Sequence, residues 1–206
     1  LGNGAGRDAA PDDDPVSRAI NHPVGHVTEA LLRWWYRQDP KEEQGLPNRA
    51  KLLFTELCDT RVQMYRHGRV LIAAHAIALF RVDERWVKTH LLPLFDWHKS
   101  ELEARAAWEG FLWSPRLYQP FLSAIKQPML EAALHYKQLG KHADQFASFL
   151  TYAALNLGET FTTQELAHAT RALPIEGLQG TAQTLVLALE GAGEQCEVYW
   201  HNRVLP

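Results

Sequence analysis

The chain has 206 residues, 46% of them hydrophobic, and a formal net charge of −3. This length and apolar content suit one large folded domain or one repeat-like array and exclude a disordered chain. Lysine and arginine are dispersed among acids, which excludes the basic stripe of a nucleic-acid-binding surface, and the longest apolar run, Val70 to Phe80 around His75, is about half of what a membrane span needs.

Ten histidines and seven tryptophans are a high load of large and polar rings. The tryptophans demand packed layers around them. Cys58 and Cys196 lie far apart, each in a helical pattern, and are expected as buried free thiols in a reducing compartment. No signal peptide is visible. Because the sequence opens at Leu1 rather than Met, the true N-terminus is expected upstream, and the location is expected to be cytoplasmic.

Residues 1–14 are glycine, alanine, aspartate and proline and predict a linker or arm. Asp14-Pro15 caps a short helix ending near Asn21. Pro23 opens the next, with Val24, Val27, Leu31, Trp34 and Trp35 on one face. Asp39-Pro40 ends it, and a polar loop runs through Gly45. Pro47 starts a helix whose stripe is Ala50, Leu53, Phe54, Leu57, Met64 and Tyr65, with Gly68 just past its end. Val70 to Phe80 is apolar nearly all round and is expected to be central. Asp83 caps Glu84 to Phe95, and Pro93 bends or ends that helix.

From about His98 to Trp113, Leu102, Ala106 and Trp113 form one apolar side and Ala104, Trp108 and Phe111 another, so this helix is expected between two neighbours. Its end, Trp108 to Pro115, is rich enough in aromatics to need other helices against it. Ser114-Pro115 caps the following helix, and Gln127-Pro128 breaks that one before Met129 to Leu139. Phe146, Phe149, Leu150, Ala153, Ala154 and Leu157 make the clearest stripe, stopped by Gly158. Thr162-Thr163-Gln164-Glu165 matches a capping box for a short helix to Leu173. Pro174 opens a longer one carrying Leu178, Ala182, Leu185, Val186 and Leu189, and Glu194 to Leu205 forms a last helical segment. Strand signals are absent. The expected fold is all-α: stacked antiparallel helix pairs forming an irregular HEAT-like α-solenoid over 15–206, with a globular helical bundle as the alternative.

No residue set carries a recognisable catalytic motif. His22 and His26 have metal-sharing spacing, but Pro23 and Gly25 lie between them and nothing nearby completes a site, so His22 is read as structural. Glu29, one turn on, is read as a partner for His26 or for the helix start. His75 is expected as a hydrogen-bonded core histidine, and His135 and His142 as exposed helix-end residues. Asp96, His98 and His67 lack a visible oriented partner or pocket. Gly2, Gly4 and Gly6 lack the strand and helix of a phosphate loop. Catalytic, cofactor and metal residues are therefore assigned as none. Trp34, Trp35, Tyr36 and Trp200 are read first as packing residues, and Trp35, Tyr36, Arg37 and Trp200 are the candidate interaction surface.

Asn21-His22-Pro23-Val24-Gly25, then Thr28-Glu29-Ala30-Leu31-Leu32, and later Ala107-Trp108-Glu109-Gly110-Phe111-Leu112 resemble a C-terminal helical region of unknown function found downstream of the sirtuin-like domain in bacterial sirtuin-family proteins of anti-phage defence. The resemblance spans residues 15–206. It implies that NAD chemistry belongs to an upstream domain, and that this helical part is a non-catalytic interaction, sensor or regulatory module needing no cofactor. The implied partners are that upstream domain in cis, a phage protein trigger, or a second copy. A self-contained all-α metal-dependent hydrolase and a purely structural oligomerisation domain are the alternatives. Tight metal, or a convergent His/Asp cluster, would favour the hydrolase.

Overall fold

In the computed structural model, which describes residues 14–156 and 160–204, every regular element is helical and no strand occurs among the described residues. Helix α1, Pro15–Ile20, begins where the Asp14 carboxylate accepts the Val16 N–H at 3.1 Å. Helix α2, Pro23–Tyr36, begins in the same way, with His22 Nδ1 accepting the Val24 N–H at 3.1 Å. Both caps sit before a proline, whose missing N–H has no partner to lose in a first turn. After the loop to Pro47 come α3, Asn48–Leu57, then α4, Arg66–Ala74, and α5, Ala76–Val82. His75 forms the break between the last two, so the apolar Val70–Phe80 stretch is two helices rather than one. A turn of α6, Glu84–Trp86, loosens into a π-turn, Val87–Leu91, and then tightens at Pro93 into a 3₁₀ turn, Leu92–Phe95. Helix α7, Glu101–Leu112, is capped by the Ser100 hydroxyl.

Helix α4 is enclosed by α1, α2, α3 and α7. Its closest neighbour is α7, and the reason is Gly110. A Cβ at that position would lie 2.2 Å from the Val70 carbonyl oxygen. Gly25 plays the same part between α2 and α1, where a Cβ would lie 1.7 Å from the Ala19 oxygen. Around this crossing Trp108, Phe95, Phe111 and Phe146 meet edge to face, and the Trp108 indole donates to the Phe95 carbonyl at 3.1 Å.

The C-terminal half adds α8, Gln119–Ala124, α9, Lys126–Ala132, and a 3₁₀ stretch, Tyr136–His142. Then follow α10, Ala143–Asn156, α11, Thr163–Ala172, α12, Ile175–Gly191, and α13, Cys196–Tyr199, with a π-turn over Trp200–Val204. The capping box of α11 forms in full: Thr162 accepts from the Glu165 N–H and Glu165 accepts from the Thr162 N–H. The expected arm before Asp14, the stop at Gly158 and the end at Leu205 lie outside the described residues.

Several expectations need correction. Helix α3 stops at Leu57 instead of running through Met64 and Tyr65, because the Arg69 guanidinium takes up the carbonyls of Leu57 and Asp59 at 3.2 and 2.9 Å. Gly68 lies inside α4, facing Thr28 of α2, rather than past a helix end. On α2 the buried face is Gly25, Thr28, Leu32 and Trp35, while Val27 and Trp34 are exposed. Close approach at Gly25 fixes that face, and Thr28 is tolerated there because its hydroxyl donates to the Val24 carbonyl at 2.7 Å. Leu102 and Trp113 at the two ends of α7 are half exposed. Ser114-Pro115 caps nothing, since α8 starts four residues later with Pro120 in its first turn. The break before α9 is at Ile125, and Pro128 sits in the first turn of α9, where an N–H is dispensable. Cys196 is exposed rather than buried, whereas Cys58 is buried, and both are free thiols.

Asp83 shows how the loop before α3 is held. Its carboxylate accepts from the Trp86 N–H at 2.9 Å, the Leu46 N–H at 3.1 Å and the Lys51 ammonium at 2.9 Å. Burial alone would raise this carboxyl, but Lys51 and the two backbone donors outweigh it and hold it below its ordinary 3.8. A carboxyl lowered by folding contributes stability above the unfolded pKa that is lost as pH falls through the folded one. The urea midpoint of Asp83→Asn should therefore lie below wild type at pH 7, and the gap should close on acidification below 3.8. A second prediction concerns the helix crossing. Gly110→Ala should cost about 2–3 kcal/mol or more through overpacking, whereas Gly191→Ala, which meets nothing within 4 Å, should be neutral or gain up to about 1 kcal/mol. Thermal denaturation of the two variants checks this.

Candidate functional site

Of the four residues expected to form an interaction surface, Trp35 lies outside it, in the core. Trp35 is fully buried and packs edge-on against Phe54. Tyr36 is exposed along one edge, with its hydroxyl 2.9 Å from His75 Nδ1. Burial raises the Tyr36 phenol and lowers the His75 imidazole, so the pair is neutral and structural at neutral pH. Arg37 is exposed at the end of α2, and Trp200 is partly exposed in the C-terminal π-turn, which packs on α10. His22 is a helix cap and stacks on His67 with ring centroids 3.9 Å apart, as its structural reading requires. His26 is exposed, and Glu29 turns to Arg33 at 3.4 Å. His135 lies flat on Trp97 at 4.2 Å.

Three places hold chemistry the sequence did not single out. The first is a polar cleft of about 700 Å³ between α3, the 3₁₀ turn after α6, and the start of α7. Glu103 lines it, and Arg69, 1% exposed, is bound to Glu103. Arg69 Nε and Nη2 bind the two Glu103 oxygens at 2.7 and 2.9 Å, and Arg66 Nε adds a third bond at 2.8 Å. Elsewhere in the cleft Arg61 pairs with Asp59 and Lys99 with Asp96, and Glu56 accepts from the Tyr65 hydroxyl at 3.2 Å. Burial pushes the Cys58 thiol on the same wall up to about 12, so it is no nucleophile. Paired charges and an inert thiol make this cleft a brace: it ties the 58–62 turn to α4 and α7.

The second is α12. The face it turns to α10 is made of small residues. A Cβ on Gly180 would touch the Ala147 Cβ at 3.3 Å, and one on Gly177 would touch the Tyr136 ring at 3.1 Å. Thr181 and Thr184 bond back to the carbonyls of Gly177 and Gly180, and Thr184 reaches the Ser148 hydroxyl at 2.9 Å. The apolar stripe read from the sequence therefore points elsewhere. Leu178 and Ala182 are exposed, Val186 is 53% exposed, and Ile175, one turn before Leu178, is 72% exposed. Leu185 is half buried at the wall of an apolar cavity of about 370 Å³ between α10, α11 and the C-terminal turn.

The third is a cluster of Asp14, Glu109 and His142, each offering one oxygen or nitrogen, all within 4.8 Å of one another. His142, expected exposed, is 4% exposed because Gly140, at φ +54°, turns the chain back onto α7. Glu109, 1% exposed, accepts from Arg105 Nε at 2.7 Å, and burial pushes its carboxyl up to about 7 despite that partner. Burial and the Lys141 charge lower the His142 imidazole. Lys141 itself donates to Asp14.

Comparison with family models, with curated proteins and with solved structures finds no match to this chain. The likeness to a sirtuin-associated region thus rests on the residues quoted for it. Two of those, Gly25 and Gly110, stand where a neighbouring backbone leaves no room for a Cβ.

The brace makes its own prediction. Glu103→Ala strips the counter-charge from a fully buried guanidinium and should cost about 3–5 kcal/mol. In urea denaturation it should be far more damaging than Asp59→Ala, whose Arg61 partner is exposed.

Proposed function

We propose that this chain is a non-catalytic helical module that binds a protein partner through the outward stripe of α12. The observation that carries the reading is that a long helix meets its own fold with glycine and threonine and leaves Ile175, Leu178, Ala182 and Val186 towards solvent. A helix evolving only to pack on α10 would turn its larger apolar residues inward. The partner in this reading is a sirtuin-like, NAD-consuming domain on the same polypeptide, in a bacterial defence protein working in the cytoplasm. The resemblance of 21–32 and 107–112 supports that context, and two free thiols agree with a reducing compartment. Enclosure of α4 on several sides supports the bundle for the first half of the chain, and the stacking of α10 with α12 suits the paired-helix arrangement of the second.

The hydrolase reading gains one observation, the convergent Asp14, Glu109 and His142. It stands second because two of those three side chains are almost completely buried, and a substrate needs an open face.

Leu178→Glu with Val186→Glu tests the first reading. The isolated double variant should keep the wild-type circular dichroism and Tm, since both sites are exposed. In the full gene product it should change the control of NAD consumption in the same sense as deleting 15–206, with the NAD chemistry itself intact. A gene product that consumes no NAD removes the sirtuin link. A double variant that regulates like wild type removes α12 as the surface.

A further inference from the structure

His142 is a buried imidazole with neither ring nitrogen hydrogen-bonded, an arrangement folded proteins rarely leave without a reason. One of those nitrogens faces an oxygen of Asp14 and an oxygen of Glu109, all within 4.8 Å. The three residues come from the cap of α1, the last turn of α7 and the turn before α10, so the fold itself assembles them.

We propose that Asp14, Glu109 and His142 bind a divalent transition-metal cation, Zn²⁺ being the reference ion, as a structural clamp. One neutral imidazole with two carboxylates is a nitrogen–oxygen donor set that suits Zn²⁺, Mn²⁺ or Fe²⁺ and not the all-oxygen preference of Ca²⁺ or Mg²⁺. Tetrahedral bonds of about 2.1 Å place ligand atoms roughly 3.4 Å apart, so from separations of no more than 4.8 Å the side chains need close only slightly. Water completes the shell on the Asp14 side, the least buried of the three. The ion joins the start of α1 to α7 and α10, a link that the partner-binding role of α12 neither needs nor supplies.

The surrounding charges set the affinity. Asp14 already caps α1 through Oδ1 and pairs with Lys141 through Oδ2. Glu109 keeps its bond to Arg105. A cation entering the cluster must displace the Lys141 ammonium, whose side chain is mostly exposed and free to swing into water. Lys141 is thus a tethered competitor for the metal.

The test is titration of the chelator-stripped chain with ZnCl₂, followed by calorimetry and by the shift in Tm. One equivalent should bind and raise the Tm. Asp14→Asn and His142→Gln should each weaken binding by an order of magnitude or more. Lys141→Ala should strengthen it several-fold, the opposite of what loss of a merely structural ion pair would do. His22→Ala and His67→Ala, at the stacked histidine pair, should leave it unchanged. If His142→Gln fails to fold, Asp14→Asn and Lys141→Ala still decide, because both lie towards the solvent edge. No binding at millimolar Zn²⁺, or binding indifferent to Asp14 and Lys141, overturns the proposal.

Discussion

The structure depends on two helix backbones lying almost in contact. Where Gly110 of α7 meets the Val70 carbonyl of α4, there is no room for a side chain. That approach aligns the aromatic side chains of α7 with Phe95, Phe121 and Phe146, and it sets the heights of Glu109, beside the crossing, and of Glu103, about two turns before it. Glu103 then meets Arg69, and Glu109 meets Arg105 and His142. Both buried carboxylates are consequences of one steric fact. Interiors are close-packed, so displacing α7 by a methyl group would disturb every one of these contacts.

Buried charge divides the molecule into a settled part and an unsettled part. Arg69 and Glu103 satisfy each other and spare donors reach the turn carbonyls, which makes the cleft end rigid. At the opposite end of α7 the balance is incomplete. The Glu109 carboxyl is pushed up by burial, and the His142 ring has donors and acceptors but no partner. The same helix thus carries a finished ion-pair network and a cluster with capacity left over for a cation.

Helix α12 is the counterpart at the surface. Its small-residue face allows it to lie close on α10, and the back-bonded threonines cover their own hydroxyls. The consequence is an apolar stripe that the described part of the chain does not cover. A similar separation occurs on α2, where Val27 and Trp34 face outward and the small Gly25 and Thr28 face in. In both helices small residues share the buried face, with Leu32 and Trp35 beside them on α2, while other large apolar side chains stay outside.

The sequence alone determined the helical class and several helix starts, because caps and prolines act locally: Asp14-Pro15, His22-Pro23, Asp83, and the Thr162–Glu165 box all form where their chemistry says, whereas Ser114-Pro115 does not. It also determined that Val70–Phe80 is central and that Trp108 and Phe111 are core, since such apolar density has no other stable place. What it left open is which stripe of α2 and α12 is buried, where α3 ends, and whether His142 is inside. Those depend on residues distant in sequence: Ala19 against Gly25, Arg69 reaching Leu57, and Gly140 folding the chain onto Glu109. Periodicity reports that a helix has an apolar side, but only the neighbour's backbone decides how near it lies. Tertiary structure therefore chose the buried faces and brought Asp14, Glu109 and His142 together, because contact between segments distant in sequence leaves no local pattern to read.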